Sequence, residues 1–269
     1  QSLWIESEKT KDIIMNFPTV YIHNWQESGD FEVYVGESND IFKRTRQHYD
    51  AASDKSRWQS KLLEKDASLF IIGHEHFNKS LTLDIENRLM HYMMSVDRVK
   101  HVHNLRDNPQ TSYYPMEELD DIFSKIWRGL RKENKDLFPT ESAIKDSAIY
   151  KASPLHKLTK EQEQARDLII HKVSNALKNN ETRQLIFIDG EAGTGKTVLN
   201  SSTFYELYCQ AEENNRNLKC FLLVNHDEQI TVYEQIAEKL GLTDKYGEVV
   251  SKPTRFINTH SPNDPVDIA

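Results

Sequence analysis

Val33–His48 reads VYVGESNDIFKRTRQH. The first part is β-rich and ends in Tyr34-Val35-Gly36, and the second carries Lys43, Arg44, Arg46 and His48 on a helix expected from Asp40. Ser38 or Asn39 is the expected N-cap. A strand that runs straight into a basic helix start can be a solvated face or a phosphate-handling site. Upstream, TVYIHNW (19–25) reads as a partner strand, joined through QESGD, where Gly29-Asp30 supports a hairpin turn. Downstream come the apolar run SLFIIG (68–73), a helix in SLTLDIENRLMHYMM (80–94) and the strand-like KHVHNL (100–105), closed by Asn108-Pro109. The pattern predicts an α+β unit over 17–110, with a small antiparallel three-stranded sheet flanked by helices.

Beyond it, MEELDDIFSKIWRGLRKEN (116–134) places Leu119, Ile122, Phe123, Ile126 and Leu130 at helical spacing. FPTESAIKDSAIYKASP (138–154) is punctuated by prolines and serines and reads as a linker, so 111–154 is expected to be a connector. A second region, 155–269, opens with LTKEQEQARDLIIHKV, where Thr159 and Gln162 form a capping-box pattern. QLIFIDG (184–190) and LKCFLLV (218–224) read as buried strands of a partial α/β domain. The tail from Val250 carries no clear pattern.

The chain has 269 residues, is 38% hydrophobic and 28% charged, and has a formal net charge of −8. That composition suits a polar globular protein of about two domains. The acidic balance argues against coating nucleic acid with the whole surface, and confines any such contact to a patch. Lys43, Arg44, Arg46, Lys55, Arg57, Lys61 and Lys65, with Trp58 among them, supply one candidate. Binding through such a stripe would depend strongly on salt; a basic face balancing an acidic body is the other reading. No apolar run approaches a membrane span. The start, QSLWIESEKTKDII, lacks the profile of a signal peptide and has no methionine, as a processed or excised chain would. Cys209 and Cys220 form no framework and no CxxC, so a reduced, cytoplasmic setting is expected. His74-Glu75-His76 imitates a metal triad, but no third ligand follows at convincing spacing.

Gly190–Thr197 reads GEAGTGKT and satisfies G-x-x-x-x-G-K-[ST] between an expected strand and an expected helix. Gly190, Gly193 and Gly195 let backbone N–H groups turn toward phosphate oxygens, and a helix N-terminus adds partial positive charge. Lys196 would reach the β- and γ-phosphates of ATP, and Thr197 would place its hydroxyl on Mg²⁺. LTKEQ, IDGEAGTGKT and FLLVNHDEQ together resemble the front of the helicase-like P-loop ATPase domain of Schlafen-related and viral superfamily-one proteins. That resemblance implies an adenine contact for Gln162, which equally reads as the partner of the helix cap. Asp227-Glu228 imitates a Walker B pair but lies directly after the strand that follows the P-loop helix. PVDIA stands about where the acidic strand would begin, so the region is expected to be cut short, with weak nucleotide binding and no ATP hydrolysis.

The first region resembles the GIY-YIG nuclease family. Tyr21 in TVYI stands at the first motif and Tyr34-Val35-Gly36 at the second. Arg44 follows Gly36 by eight residues, Glu86 lies on the later helix, and Asn104 on the closing strand. Thr19 and Val20 replace the first motif's glycine and isoleucine. The resemblance implies a metal-dependent endonuclease acting on nucleic acid, DNA rather than RNA, with its oligomeric state open. It implies Tyr21 as general base or relay, Tyr34 orienting water, Arg44 on the phosphate, Glu86 on Mg²⁺ or Mn²⁺, and Asn104 fixing geometry. His48 shares Arg44's helix face at i+4 and would assist. Taken residue by residue, the tyrosines also read as cross-strand packing and the arginine as solvated surface. A nucleic-acid-binding regulatory module with a non-catalytic fold is the alternative function.

Overall fold

The computed structural model describes residues 8–54, 58–104, 118–214, 216–261, 263 and 265–269. Lys55, Arg57 and Asn108-Pro109 lie outside them. The chain divides into two compact units, Gln1–Lys145 and Asp146–Ala269.

In the first unit α1 (Glu8–Asn16) precedes β1 (Thr19–Glu27) and β2 (Asp30–Ser38). These strands pair antiparallel from Thr19↔Ser38 to Glu27↔Asp30. Ser28 and Gly29 are the two loop residues, with φ of 54° and 92°. Two left-handed residues match the primed turn that follows the twist of a hairpin, so the turn sits one residue earlier than Gly29-Asp30. Arg98 donates to the Gly29 carbonyl at 2.6 Å and pins the tip. Next come α2 (Ile41–Ala51), a 3₁₀ segment (Trp58–Leu63), β3 (Ser68–Gly73), α3 (Lys79–Met94) and β4 (Val99–His103). The N-cap of α2 is Asp40, whose side chain accepts from Lys43 N at 2.9 Å, rather than Ser38 or Asn39.

The sheet has four strands in the order β3-β1-β2-β4. It is mixed, because β4 runs parallel to β2 while the other pairings are antiparallel. This corrects the expected three-stranded antiparallel sheet. Strand direction depends on how the connection returns, which residue alternation within β4 does not encode. β1 is central and its first seven residues are buried on both faces, including His23 and Asn24. Leu81, Ile85 and Leu89, spaced by four, seat α3 on the sheet. α4 (Leu119–Glu133) packs on α3 through Ile122, Phe123 and Trp127, with Trp127 buried in place of the expected Ile126. The Trp127 indole donates to the Pro139 carbonyl at 2.7 Å.

The stretch read as a linker holds two short helices, α5 (Glu141–Asp146) and α6 (Ala148–Ala152). Five or six residues give too few turns for a periodic signature. The second unit continues with α7 (Lys160–Lys178), α8 (Lys196–Glu213), β5 (Leu222–Leu223), α9 (Asp227–Lys239), α10 (Leu242–Tyr246), β6 (Val250–Ser251) and α11 (Pro253–Thr259). β5 pairs parallel with β6. The Phe221 N–H points the other way, to the Ile268 carbonyl at 3.0 Å, so the last residues flank the opposite edge of β5.

Leu185–Asp189 is not a strand, against expectation. Leu185 is 73% and Phe187 85% exposed. An unbroken apolar run becomes a buried parallel strand only between two ladder partners, and among the described residues none pairs with it. A groove of about 920 Å³ lies between this segment and β5, floored by α7 and α8 residues such as Val173 and Leu207.

Candidate functional site

Two arrangements stand out, one in each unit. The first gathers at one end of the four-stranded sheet. Tyr21 of β1 and Gly36 of β2 are register partners, as are His23 and Tyr34, so both tyrosines share one sheet face. A Cβ on Gly36 would lie 2.5 Å from Cζ and Oη of Tyr21, so only glycine lets the phenol ring lie across β2. α2 then brings Arg44 and His48, one turn apart, to the phenol. His48 Nε2 lies 2.9 Å from Tyr21 Oη. Arg44 Nε donates to the same oxygen at 3.2 Å and Nη2 donates to Tyr34 Oη at 3.4 Å, while Nη1 donates to Gln47 at 3.4 Å.

Arg44 donates into the Tyr21 oxygen and leaves the phenol hydrogen free to be given to a neighbour. In the tautomer that carries its proton on Nδ1, the His48 imidazole accepts that hydrogen at Nε2. Burial keeps the ring uncharged. It pushes the His48 pKa down to about 4, helped by the Arg44 charge, so the ring is neutral at pH 7. Burial, reinforced by Tyr34, raises the Tyr21 phenol well above 10, and Arg44 only partly opposes it. Tyr21 is thus a protonated donor rather than an ionised base, and a direct base role would need an activation that this environment does not supply. Behind it, His23 is buried, its Nε2 has no hydrogen-bond partner, and burial, then the repulsion that two protonated rings would feel with His48 so near, lowers its pKa to about 3.

α3 comes from the other sheet face, and Asn104 follows the last residue of β4. Asn104 has φ of 66° and donates Nδ2 to the Val35 carbonyl at 2.9 Å and to Glu86 Oε1 at 3.2 Å. It ties α3 to β2 and orients the carboxylate. Tyr21, Tyr34, Arg44, Glu86 and Asn104 all line one cavity of about 120 Å³. That is roughly the share of four water molecules, suited to a phosphoryl group or a hydrated cation. His48 sits behind Tyr21 and is not among the lining residues. Glu37, which sequence reasoning did not single out, also lines the cavity. Its Oε2 is buried with no hydrogen-bond partner, while Oε1 pairs with Lys79. Carboxylate and amide oxygens are the hard donors that Mg²⁺ takes, so the residues present fit such an ion.

Trp58 stacks on Tyr34 at 4.0 Å and on Trp25 at 5.9 Å, so aromatic packing holds the Tyr34 ring in place. Of the basic stripe, Lys43, Arg46 and Lys65 are exposed, whereas Lys61 is paired with Glu27 and Glu64. His74 and His76 stack edge to face at 5.2 Å and His76 pairs with Glu118. Among the described residues no group of three candidate ligands is placed to hold a metal.

In the second unit the Gly190–Thr197 loop opens α8. Gly193 and Gly195 are left-handed at φ 83° and 81°, and Gly195 caps the helix. Lys196 Nζ donates inward to the carbonyls of Gly190 at 2.6 Å and Glu191 at 2.7 Å, and Thr197 is exposed at the first turn. Gln162 is engaged at both ends of its amide. Oε1 accepts from Thr159 N at 2.9 Å, completing the capping box, and Nε2 donates to the Thr194 carbonyl at 2.9 Å. Asp227 and Glu228 sit in the first turn of α9 rather than at a strand end, and Asp227 pairs with Lys252.

No helix among the described residues is long and apolar enough to cross a membrane. Comparison with curated proteins and with solved structures gave no match. Residues 183–269, which carry the glycine-rich loop and the β5–β6 pair, match the family model for the Schlafen group 3 DNA/RNA helicase domain, so this part of the second unit is similar to a helicase-like, nucleic-acid-related module.

Proposed function

We propose that the first unit is a GIY-YIG-type endonuclease that hydrolyses nucleic-acid phosphodiester bonds, DNA in preference to RNA, followed in the chain by a nucleotide-binding helicase-like unit. The observation that carries this reading is the meeting of Tyr21, Tyr34, Arg44, Glu86 and Asn104, far apart in sequence, around one small cavity.

The chemistry follows from the contacts. Arg44 holds Tyr34 and Gln47 through long hydrogen bonds, which a phosphate exchanges for a charge-assisted fork. Tyr34 then orients the attacking water. Tyr21 takes the water's proton as it gives its own to His48, so the neutral imidazole is the terminal acceptor and the phenol a relay. A bound phosphate's negative charge lifts the His48 pKa from about 4 toward the working range. Glu86, steadied by Asn104, is the cation ligand. Mg²⁺ or Mn²⁺, when bound, supplies Lewis-acid polarisation of the phosphoryl oxygen and steadies the leaving 3′-oxygen.

In the second unit Lys196 would leave the Gly190 and Glu191 carbonyls for the β- and γ-phosphates of ATP, and Thr197 would hold Mg²⁺. Gln162 acts as a strut between the α7 cap and the loop. Asp227 and Glu228 take no part, so ATP binding without turnover is the activity assigned to these residues.

A second reading, a grip on nucleic acid without cutting, draws on the raised pKa of Tyr21. Incubation with plasmid and single-stranded DNA or RNA, with Mg²⁺ or Mn²⁺, separates the two. Glu86→Ala should lower cleavage at least ~100-fold, about 2.7 kcal/mol of barrier. Tight binding with equal background cleavage in wild type and variant leaves only the grip.

A further inference from the structure

We propose that the outer side of α2 carries an unpaired stretch of nucleic acid away from the cavity and stacks one of its bases on Phe42; this rests on the nuclease reading above. α2 is held in orientation by Ile41 and His48, both buried, and by the Asp40 cap. A helix turns about 100° per residue. Starting from Arg44 at the cavity, the side chains met in order around one side of the helix are therefore Gln47, Lys43, Arg46 and Phe42. All four are exposed, Phe42 by 47%. Gln47 continues directly from Arg44, its amide oxygen accepting from Nη1 at 3.4 Å. Asp50, the acid on this side, lies next to the last residue of α2, away from the cap.

This arc has the chemistry that a polynucleotide strand needs. Elsewhere in the unit Lys61, Lys79, Arg88 and Arg98 each face a carboxylate. Among the described residues Lys43 and Arg46 pair with none, so their charge is open to phosphates. A lone exposed phenyl is ordinary on a protein surface. Phe42 instead ends a continuous track of donors that begins at the cavity, and what it adds is a flat apolar face on which a base can stack. Bases inside a duplex have both faces covered by their neighbours. A ring standing out from a convex helix therefore meets the face of an unpaired base only. Arg46, one turn on from Phe42, is placed to close over the same base as a planar cation. The substrate class that fits is nucleic acid with an unpaired segment beside the scissile phosphate, rather than continuous duplex.

Single-stranded DNA carrying 5-iododeoxyuridine, mixed with the full chain in the presence of a chelator and irradiated, reads this without any cleavage, since that base crosslinks to rings it stacks on. Peptide mapping should place an adduct on Phe42, and the matching duplex should give ~10-fold less of it. Phe42→Leu should lose the adduct. Lys43→Ala combined with Arg46→Ala should cut its yield ~5-fold or more, and the wild-type yield should fall as salt rises from about 50 to 200 mM. Thermal melts of each variant check that the fold is intact. No adduct on Phe42 in wild type, or one as strong with duplex, overturns this inference. The nuclease reading then stands, because it is judged by the loss of cleavage in Glu86→Ala. If the adduct forms but Glu86→Ala cuts as wild type does, the contact stands and the nuclease reading falls.

Discussion

Tyr21 Oη lies 2.9 Å from His48 Nε2 and accepts from Arg44 Nε at 3.2 Å, so the phenol oxygen joins the imidazole to the guanidinium. A single chain of hydrogen bonds thus leads from the cavity to a neutral, buried imidazole. Members of such a chain act as one unit, and their removals do not add.

Tyr21→Phe and His48→Gln should each slow cleavage by ~100-fold or more, the usual contribution of a positioned proton acceptor. The double variant should be no slower than the worse single one. Rates measured under single-turnover conditions that multiply instead would mean that the two residues serve separate steps.

Gly36→Ala should disable the site with little effect elsewhere. Its new Cβ would fall 2.5 Å from the Tyr21 ring and 2.9 Å from Tyr34 Cε1, in a wall with no flexible end to yield. We expect about 1–3 kcal/mol of destabilisation from overpacking and loss of cleavage out of proportion to it. Wild-type cleavage by a folded Gly36→Ala chain would show that the ring position does not matter.

Stability should fall with acid. His48 and His23 have folded pKa values near 4 and 3, both below the ordinary 6.5, because burial favours the neutral ring. Below pH 6.5 the unfolded chain binds protons that the folded one refuses, so stability is fully present above that pH and drains away as pH drops toward 4. Urea midpoints at pH 7.5, 6 and 5 should decline, and His48→Gln should flatten the decline. A flat profile in wild type would contradict the neutral, buried assignment.

Lys196→Ala should weaken ATP binding by ~10- to 100-fold, the worth of a charge-assisted hydrogen bond. Gln162→Ala should weaken it less and should also remove a helix cap worth about 1 kcal/mol. Fluorescent-nucleotide titration gives both. Were Gln162→Ala the more damaging, a direct adenine contact would replace the strut.

Much of the first unit could be read ahead of its coordinates. The hairpin, the Gly36-to-Arg44 spacing and the α3 glutamate are local patterns, and each lands on the same cavity. Glu37 escaped notice because a lone acid at a strand end reads as solvent-facing; only the packing of α3 closes over it. The direction of β4 is set by a long connection, and the small helices at 141–152 have no period to detect. In the second unit the apolar run at Leu185–Ile188 has strand chemistry, yet a strand is defined by neighbours that local sequence does not contain.

The same run has a thermodynamic corollary for the loop it leads into. Gly190–Thr197 is fastened at one end to α8, a helix of five turns, and at the other to a stretch that pairs with no strand among the described residues. A strand partner that zipped onto Leu185–Asp189 would hold the loop from both sides, and should raise affinity for whatever the loop captures by lowering the cost of ordering it.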